Sequence, residues 1–338
     1  MTSPTTLEAL LRRARRAIVI GIGGGGDIAG TVPTLDLLSL FGVSWVAGGL
    51  TWERIVYDPR PGPRPLAEVV YATPFAPCAA LANARTRTAD GVTFAESAFA
   101  AVFNCETLLL DINQGVQGIV DSLRMALTHL EADLLIGVDV GGDSLAMGNE
   151  PGLRSPLADG VMLASLARLE EEGVPTMLGV LGYGCDGELT PAELDARIAA
   201  IAASGGYLGA WGMTHRAVAD LERLLTQLHS EASQIPLQAA RGALGRRPIR
   251  DGAAEVVLSP LATLTFFLDP MTTVREVAVP AQRVARSTSL DEANDALHAL
   301  GLRTELDRER WMESQGVRDY RREKEFQEQA RQEQPPEA

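Results

Sequence analysis

Five short loops in this 338-residue chain concentrate glycine and carboxylate. They read Gly23-Gly24-Gly25-Gly26-Asp27, Gly48-Gly49-Leu50-Thr51-Trp52-Glu53-Arg54, Asp111-Ile112-Asn113-Gln114-Gly115, Asp139-Val140-Gly141-Gly142-Asp143 and Tyr183-Gly184-Cys185-Asp186-Gly187-Glu188. Such loops suit three kinds of chemistry. Oxygen ligands from Asp139, Asp143 and Asp111, with Asp27 and Asp186 in reserve, suit a hard divalent cation, Mg²⁺ above all. The same groups suit the hydroxyls of a ribose or another polyol. Two carboxylates in unlike surroundings also acquire separated pKa values and serve as acid and base. Glu188, Asp186 and His215 are the candidates for that third, catalytic role.

The first loop has a further reading. Gly21, Gly23 and Gly26 match GxGxxG, and Gly23, Gly24, Gly25, Gly26 and Asp27 are the candidates for holding a cofactor. Glycine lets backbone amides approach a ligand closely. Two features oppose a plain dinucleotide site. The acid expected about 20 residues on is missing or displaced to Glu53. Asp27 would also repel a phosphate unless a metal or a hydroxyl stood between. Trp52, Glu53, Arg54 and Arg64 are the substrate-binding candidates, because arginine grips anions and tryptophan stacks on rings. Asp159 and Glu193, inside first helical turns, read as caps. His129, His229 and His298 read as helix-surface residues. Cys185, beside Asp186, is a poor thiolate.

The elements that would position these loops alternate. Ala17–Ile22, Val43–Ala47, Thr107–Ile112, Leu134–Val140 and Thr176–Leu181 are apolar, β-branched-rich runs that predict buried strands. Helical spacing follows at Leu35–Phe41 and at Val116–Leu130. Ser155-Pro156 and Thr190-Pro191-Ala192-Glu193 predict helix starts. A further strand is expected near 207–213, a long helix over 215–232, one or two strands over 255–268, and a helix from Ser289 to Gly301. Residues 67–104, rich in Ala and Thr, predict a helix or two with loops. The fold class is therefore α/β, a doubly wound, mostly parallel, Rossmann-like sheet with helices on both faces and a C-terminal elaboration. Residues 1–304 are expected to form a single domain with a core over 15–300. Residues 305–338 are expected to be a charged, solvated helical or disordered tail. In open parallel sheets, ligands bind outside the C-terminal strand ends, which is where the five loops fall.

Composition prunes the alternatives. Lys+Arg total 30 against 44 Asp+Glu, giving −14. That opposes nucleic-acid and anionic-membrane surfaces. Lys324 is the only lysine, which removes a Schiff-base lysine and a phosphate-loop lysine from the body of the fold. Three cysteines without CxxC spacing oppose a disulfide framework. No apolar run reaches the ~18 residues of a membrane span. The N-terminus lacks the pattern of a signal peptide, so a cytoplasmic location is expected.

The glycine loop, the segments Gly48–Arg54 and Pro61-Gly62-Pro63-Arg64, Val138–Asp143 and Gly184–Leu189 together resemble the domain of unknown function 1152 family over residues 15–300. That resemblance implies a prokaryotic, Rossmann-like protein and names no reaction. The residues themselves lead to a metal-assisted hydrolase or group transferase acting on a small polar metabolite of the sugar or nucleotide type. One alternative is an enzyme using a nicotinamide or adenosyl cofactor at the glycine loop. The other is a non-catalytic ligand-binding or assembly subunit. A homo-oligomer is expected on general grounds only.

Overall fold

The computed structural model describes residues 6–319 and Phe326. Its strands are β1 (Arg16–Gly21), β2 (Ser44–Leu50), β3 (Val69–Val70), β4 (Thr73–Ala76), β5 (Ala79–Ala82), β6 (Arg87–Thr88), β7 (Thr107–Leu110), β8 (Leu134–Val140), β9 (Thr176–Leu181), β10 (Tyr207–Gly212), β11 (Gly245–Ile249), β12 (Ala254–Leu258) and β13 (Leu264–Leu268). Nine of them form one sheet in the order β10-β13-β9-β8-β1-β2-β7-β5-β4. The central pairs β7-β2, β2-β1, β1-β8 and β8-β9 are parallel. The flanking pairs are antiparallel. Numbered by chain order, the parallel centre runs 3-2-1-4-5, the doubly wound order. Its direction of winding reverses between β1 and β8.

Each central strand is apolar on both faces because helices cover both. In β1, Ile18 and Ile20 pack with the helices Gly115–His129 and Pro156–Glu171. Ala17 and Val19 face the other way, toward the helices Val32–Leu40 and Ala95–Phe103. The helix Pro156–Glu171 is enclosed further. The helices Pro270–Glu276 and Val279–Val284 pack against it from outside the sheet layer, so most of its residues are buried.

Two expectations fail locally. Residues 67–104 hold the expected α-helix, Ala95–Phe103, but four strands, β3 to β6, come before it where loops were expected. Small Ala and Thr side chains suit the antiparallel strand β5, which lies against β7 with Ala79, Ala80 and Ala82 buried. The long helix over 215–232 is instead His215–Leu224 followed by Glu231–Ala240. Ser230 breaks the run by capping the second helix, accepting from the Ser233 amide at 3.2 Å.

One contact beneath the sheet carries a pH consequence. Glu170 accepts the Met271 amide at 2.9 Å beside Asp269, which caps the helix Pro270–Glu276. Burial, then the proton shared with Asp269, pushes the Glu170 carboxyl up to about 8. A raised acid stabilises the fold fully below its ordinary pKa and loses that contribution as pH rises through about 8. Glu170→Gln should therefore show a smaller fall in Tm between pH 5 and pH 9 than the wild type, by calorimetry. Parallel curves for the two proteins would refute the pairing.

Candidate metal centre

The crevice at the β1–β8 reversal encloses about 390 Å³. Its buried lining includes Gly23, Gly24, Asp143, Ser155, Asp159 and Asp186, and Asp27, Arg54, Tyr57, His229 and Arg250 also face it. Each carboxylate comes from a different element. Asp27 opens the turn after β1, and Asp139 is the penultimate residue of β8. Asp143 opens the short helix after β8, Asp159 lies in the first turn of Pro156–Glu171, and Asp186 follows β9.

Glycine makes room for these groups. A Cβ on Gly23 would stand 2.5 Å from Asp27 Oδ2 and 3.0 Å from Asp159 Oδ2. A Cβ on Gly141 would stand 2.2 Å from Asp186 Cγ, at a φ of +137° that side-chain-bearing residues rarely adopt. These glycines therefore serve close approach of carboxylates to the backbone.

Two triads result. Asp139, Asp143 and Asp159 each bring an oxygen within 4.8 Å of the others, and so do Asp143, Asp186 and Glu188. Asp159 is 3% exposed and Asp186 4% exposed. Asp159 Oδ1 and Asp186 Oδ2 have no hydrogen-bond partner among the described residues. Asp139 is better supported. Its Oδ1 accepts the Gly142 amide at 3.1 Å, and its Oδ2 accepts the Ser144 amide at 3.1 Å and the Ser144 hydroxyl.

The electrostatics follow from burial and mutual repulsion. Burial, reinforced by Asp139, pushes Asp27 up to about 8 against the opposing pull of Arg54. Burial, then Glu188 and Asp139, pushes Asp186 up to about 7. Burial and the neighbouring carboxylates raise Asp143 and Asp159 well above the usual range. Asp139 is raised by burial despite its hydrogen bonds. Glu188 is the exception. Burial opposes its ionisation, but Arg250, the Ser155 hydroxyl and Arg154 outweigh it and hold the pKa low.

Several sequence candidates stand elsewhere or do other work. Asp111 is engaged locally, accepting from Asn113 N at 2.9 Å, Asn113 Nδ2 at 2.7 Å and Leu66 N at 3.0 Å, outside both triads. His215 is exposed at the start of its helix beyond the edge strand β10 and does not line the crevice. Trp52 is fully buried and donates to Glu309 Oε2 at 2.9 Å, so it is core rather than a stacking surface. Glu53 caps the helix Ala95–Phe103, accepting the Ala95 amide at 2.7 Å. Arg64 is 2% exposed and held by Asp58, Glu68 and Asp90 at 2.6–3.0 Å, which leaves it closed to an incoming anion. Glu188 accepts Arg154 N at 2.6 Å, Ser155 N at 2.9 Å, Ser155 Oγ at 2.6 Å and Arg250 Nη2 at 3.1 Å, which makes it an anchor more than a proton carrier. Arg54 does reach the site, donating from Nη2 to Gly23 O at 2.6 Å.

The glycine loop also spends donors internally. Gly23 N donates to Asp27 Oδ2 at 3.0 Å and Gly25 N to Trp52 O at 2.8 Å. The turn that follows is a five-residue 3₁₀ helix. Asp27 thus occupies the amide that a phosphate would need, which weighs against a nicotinamide or adenosyl cofactor held in the usual way.

Asp159, Ser155, His229 and Arg250 were not among the expected site residues. Asp159 had a readable signal. Leu157, Ala158, Val161 and Met162 surround it on every side of the helix, so a carboxylate there is buried whichever face packs inward. Ser155 does not cap its helix by side chain, because its hydroxyl is turned to Glu188 and Asp143. His229 shows no such signal; it sits in the break between two helices and stacks on Tyr57 with ring centroids 6.0 Å apart.

Among the described residues no helix is long and apolar enough to cross a membrane, and the cysteines Cys78, Cys105 and Cys185 are free. No curated protein and no solved structure matches the chain. A family model described as a protein of unknown function (DUF1152) matches residues 18–313, and the chain belongs to that family.

Proposed function

We propose that the protein is a divalent-cation-dependent hydrolase or group transferase acting on a small polar metabolite of the sugar or nucleotide type. The observation that carries this reading is the triad Asp139, Asp143 and Asp159 at the winding reversal, buried together with an unpartnered oxygen on Asp159. Buried carboxylates repel one another and are desolvated unless a proton or a cation compensates them. An all-oxygen set of this kind suits Mg²⁺ or Mn²⁺. The cation would act as a Lewis acid on a polar bond of the substrate. Arg54 and Arg250, at the same crevice, supply positive charge for an anionic part of the substrate. Asp27 lines the crevice outside both triads and is the group left to exchange a proton with the substrate.

The test begins with protein stripped by EDTA and exchanged into metal-free buffer. Mg²⁺ or Mn²⁺ should raise Tm, since a ligand that binds only the folded state stabilises it by about 2.7 kcal/mol at 100 times its Kd. A panel of nucleotides and sugar phosphates should then contain a compound consumed with cation and spared in EDTA. Unchanged Tm with either cation, or turnover indifferent to EDTA, would refute the reading. Binding of a panel compound without turnover would favour the ligand-binding alternative.

A further inference from the structure

We infer that the crevice holds two divalent cations, bridged by the carboxylate of Asp143. This rests on the cation-dependent reading above and deepens it. Asp143 is the only residue common to the two triads. The second triad, with Asp186 and Glu188, has its own sign of a ligand, independent of the first. Asp186 is 4% exposed, faces the crevice, and its Oδ2 has no hydrogen-bond partner among the described residues. One unpartnered carboxylate oxygen therefore belongs to each triad, Asp159 Oδ1 to the first and Asp186 Oδ2 to the second.

The geometry favours two ions over one. The two unpartnered oxygens, on Asp159 and Asp186, belong to different triads, and only Asp143 reaches both. Glu188 contributes least to ligation. Its oxygens also accept from Ser155, Arg154 and Arg250, so Asp143 and Asp186 are the principal ligands of the second cation. Two cations sharing a carboxylate typically lie about 3.5–4 Å apart and clamp both the attacking and the leaving oxygen of an in-line displacement. Within the sugar- or nucleotide-type class proposed above, that arrangement favours phosphate esters and anhydrides.

Mn²⁺ is the probe, because two Mn²⁺ ions bridged by a carboxylate are spin-coupled. Full-length metal-free protein is titrated calorimetrically and then examined by electron paramagnetic resonance. The expected result is two Mn²⁺ per chain with a coupled multiline spectrum. Asp186→Asn and Asp159→Asn, each checked for folding by circular dichroism, should each retain one Mn²⁺ with an uncoupled spectrum. One Mn²⁺ per saturated wild-type chain, or two that are uncoupled, would overturn the bridged pair while leaving the single-cation reading intact. No Mn²⁺ bound at all would overturn both. The wild-type measurement alone decides the question should either variant fail to fold.

Discussion

Asp143→Asn is expected to weaken divalent-cation binding by more than about 100-fold and to raise the Tm of the metal-free protein. The two effects have one cause. Asp143 belongs to both triads, so its loss removes a ligand from every cation the crevice holds. Residues that merely orient a ligand typically change affinity by about 10–100-fold, and a shared ligand must exceed that range. In the metal-free protein the same carboxylate is unfavourable. Burial comes first, and Asp159, Glu188, Asp139 and Asp186 all add repulsion. These effects hold the Asp143 carboxyl well above the usual range, so folding must either protonate it or bury its charge, and asparagine of the same shape needs neither. Relief of about 1 kcal/mol corresponds to a rise of ~2–4 °C in a domain of a few hundred residues. Calorimetric titration with Mn²⁺ and a thermal scan in EDTA read both effects. Asp111→Asn serves as the control, since its oxygens engage Asn113 and Leu66. Cation binding unchanged in Asp143→Asn, or lost equally in Asp111→Asn, would remove the site from this crevice.

The contrast between Asp143 and Asp111 shows where sequence reasoning reached. Strand positions were legible because a strand buried on both faces is apolar over nearly its whole length, as Leu134–Val138 and Met177–Leu181 are. From the strands came the crevice, and from the crevice Asp27, Asp139, Asp143 and Asp186. Sorting loop carboxylates was harder. Asp111 also sits at a strand end, but what it bonds depends on Leu66, which is remote in sequence. Arg64 looked like an anion contact because its partners Asp58 and Asp90 gather only when the loops fold. His215 was favoured over His229 on the assumption of one long helix, and the break at Ser230 moved the crevice-facing histidine by fourteen positions in the chain. Local pattern finds elements, whereas the pairing of charges depends on contacts that no local pattern encodes.

The tail expected from residue 305 does begin as a helix, but that helix is packed rather than solvated, and it yields the second large prediction. Glu305–Gln315 is a helix folded onto the body of the protein, although residues 320–325 and 327–338 lie outside the described residues. Its low apolar content hides its role, because only Leu306 and Met312 anchor it to the core and the rest of its hold is polar. Glu305 is fully buried and accepts Leu157 N at 3.1 Å and Ala158 N at 2.8 Å, satisfying amides at the start of the helix that carries Asp159. Glu309 accepts Trp52 Nε1 at 2.9 Å and Gly62 N at 2.8 Å. A carboxylate at a helix N-terminus is favoured by the helix dipole as well as by the amides themselves. Glu305→Ala leaves two buried donors unsatisfied at about 1–3 kcal/mol each, so a loss of roughly 2–6 kcal/mol is expected. Glu305→Gln keeps one acceptor oxygen and should fall between alanine and the wild type in Tm. Glu313→Ala, on the same helix but exposed, should lie within about 0.5 kcal/mol of the wild type. Because Asp159 lies in the turn that Glu305 holds, Glu305→Ala should also weaken Mn²⁺ binding by about 10-fold, as loss of an orienting contact does. Chemical denaturation and calorimetric titration of the four proteins measure the two effects together. Equal stability of Glu305→Ala and Glu313→Ala would return this helix to the solvated face that its composition suggests.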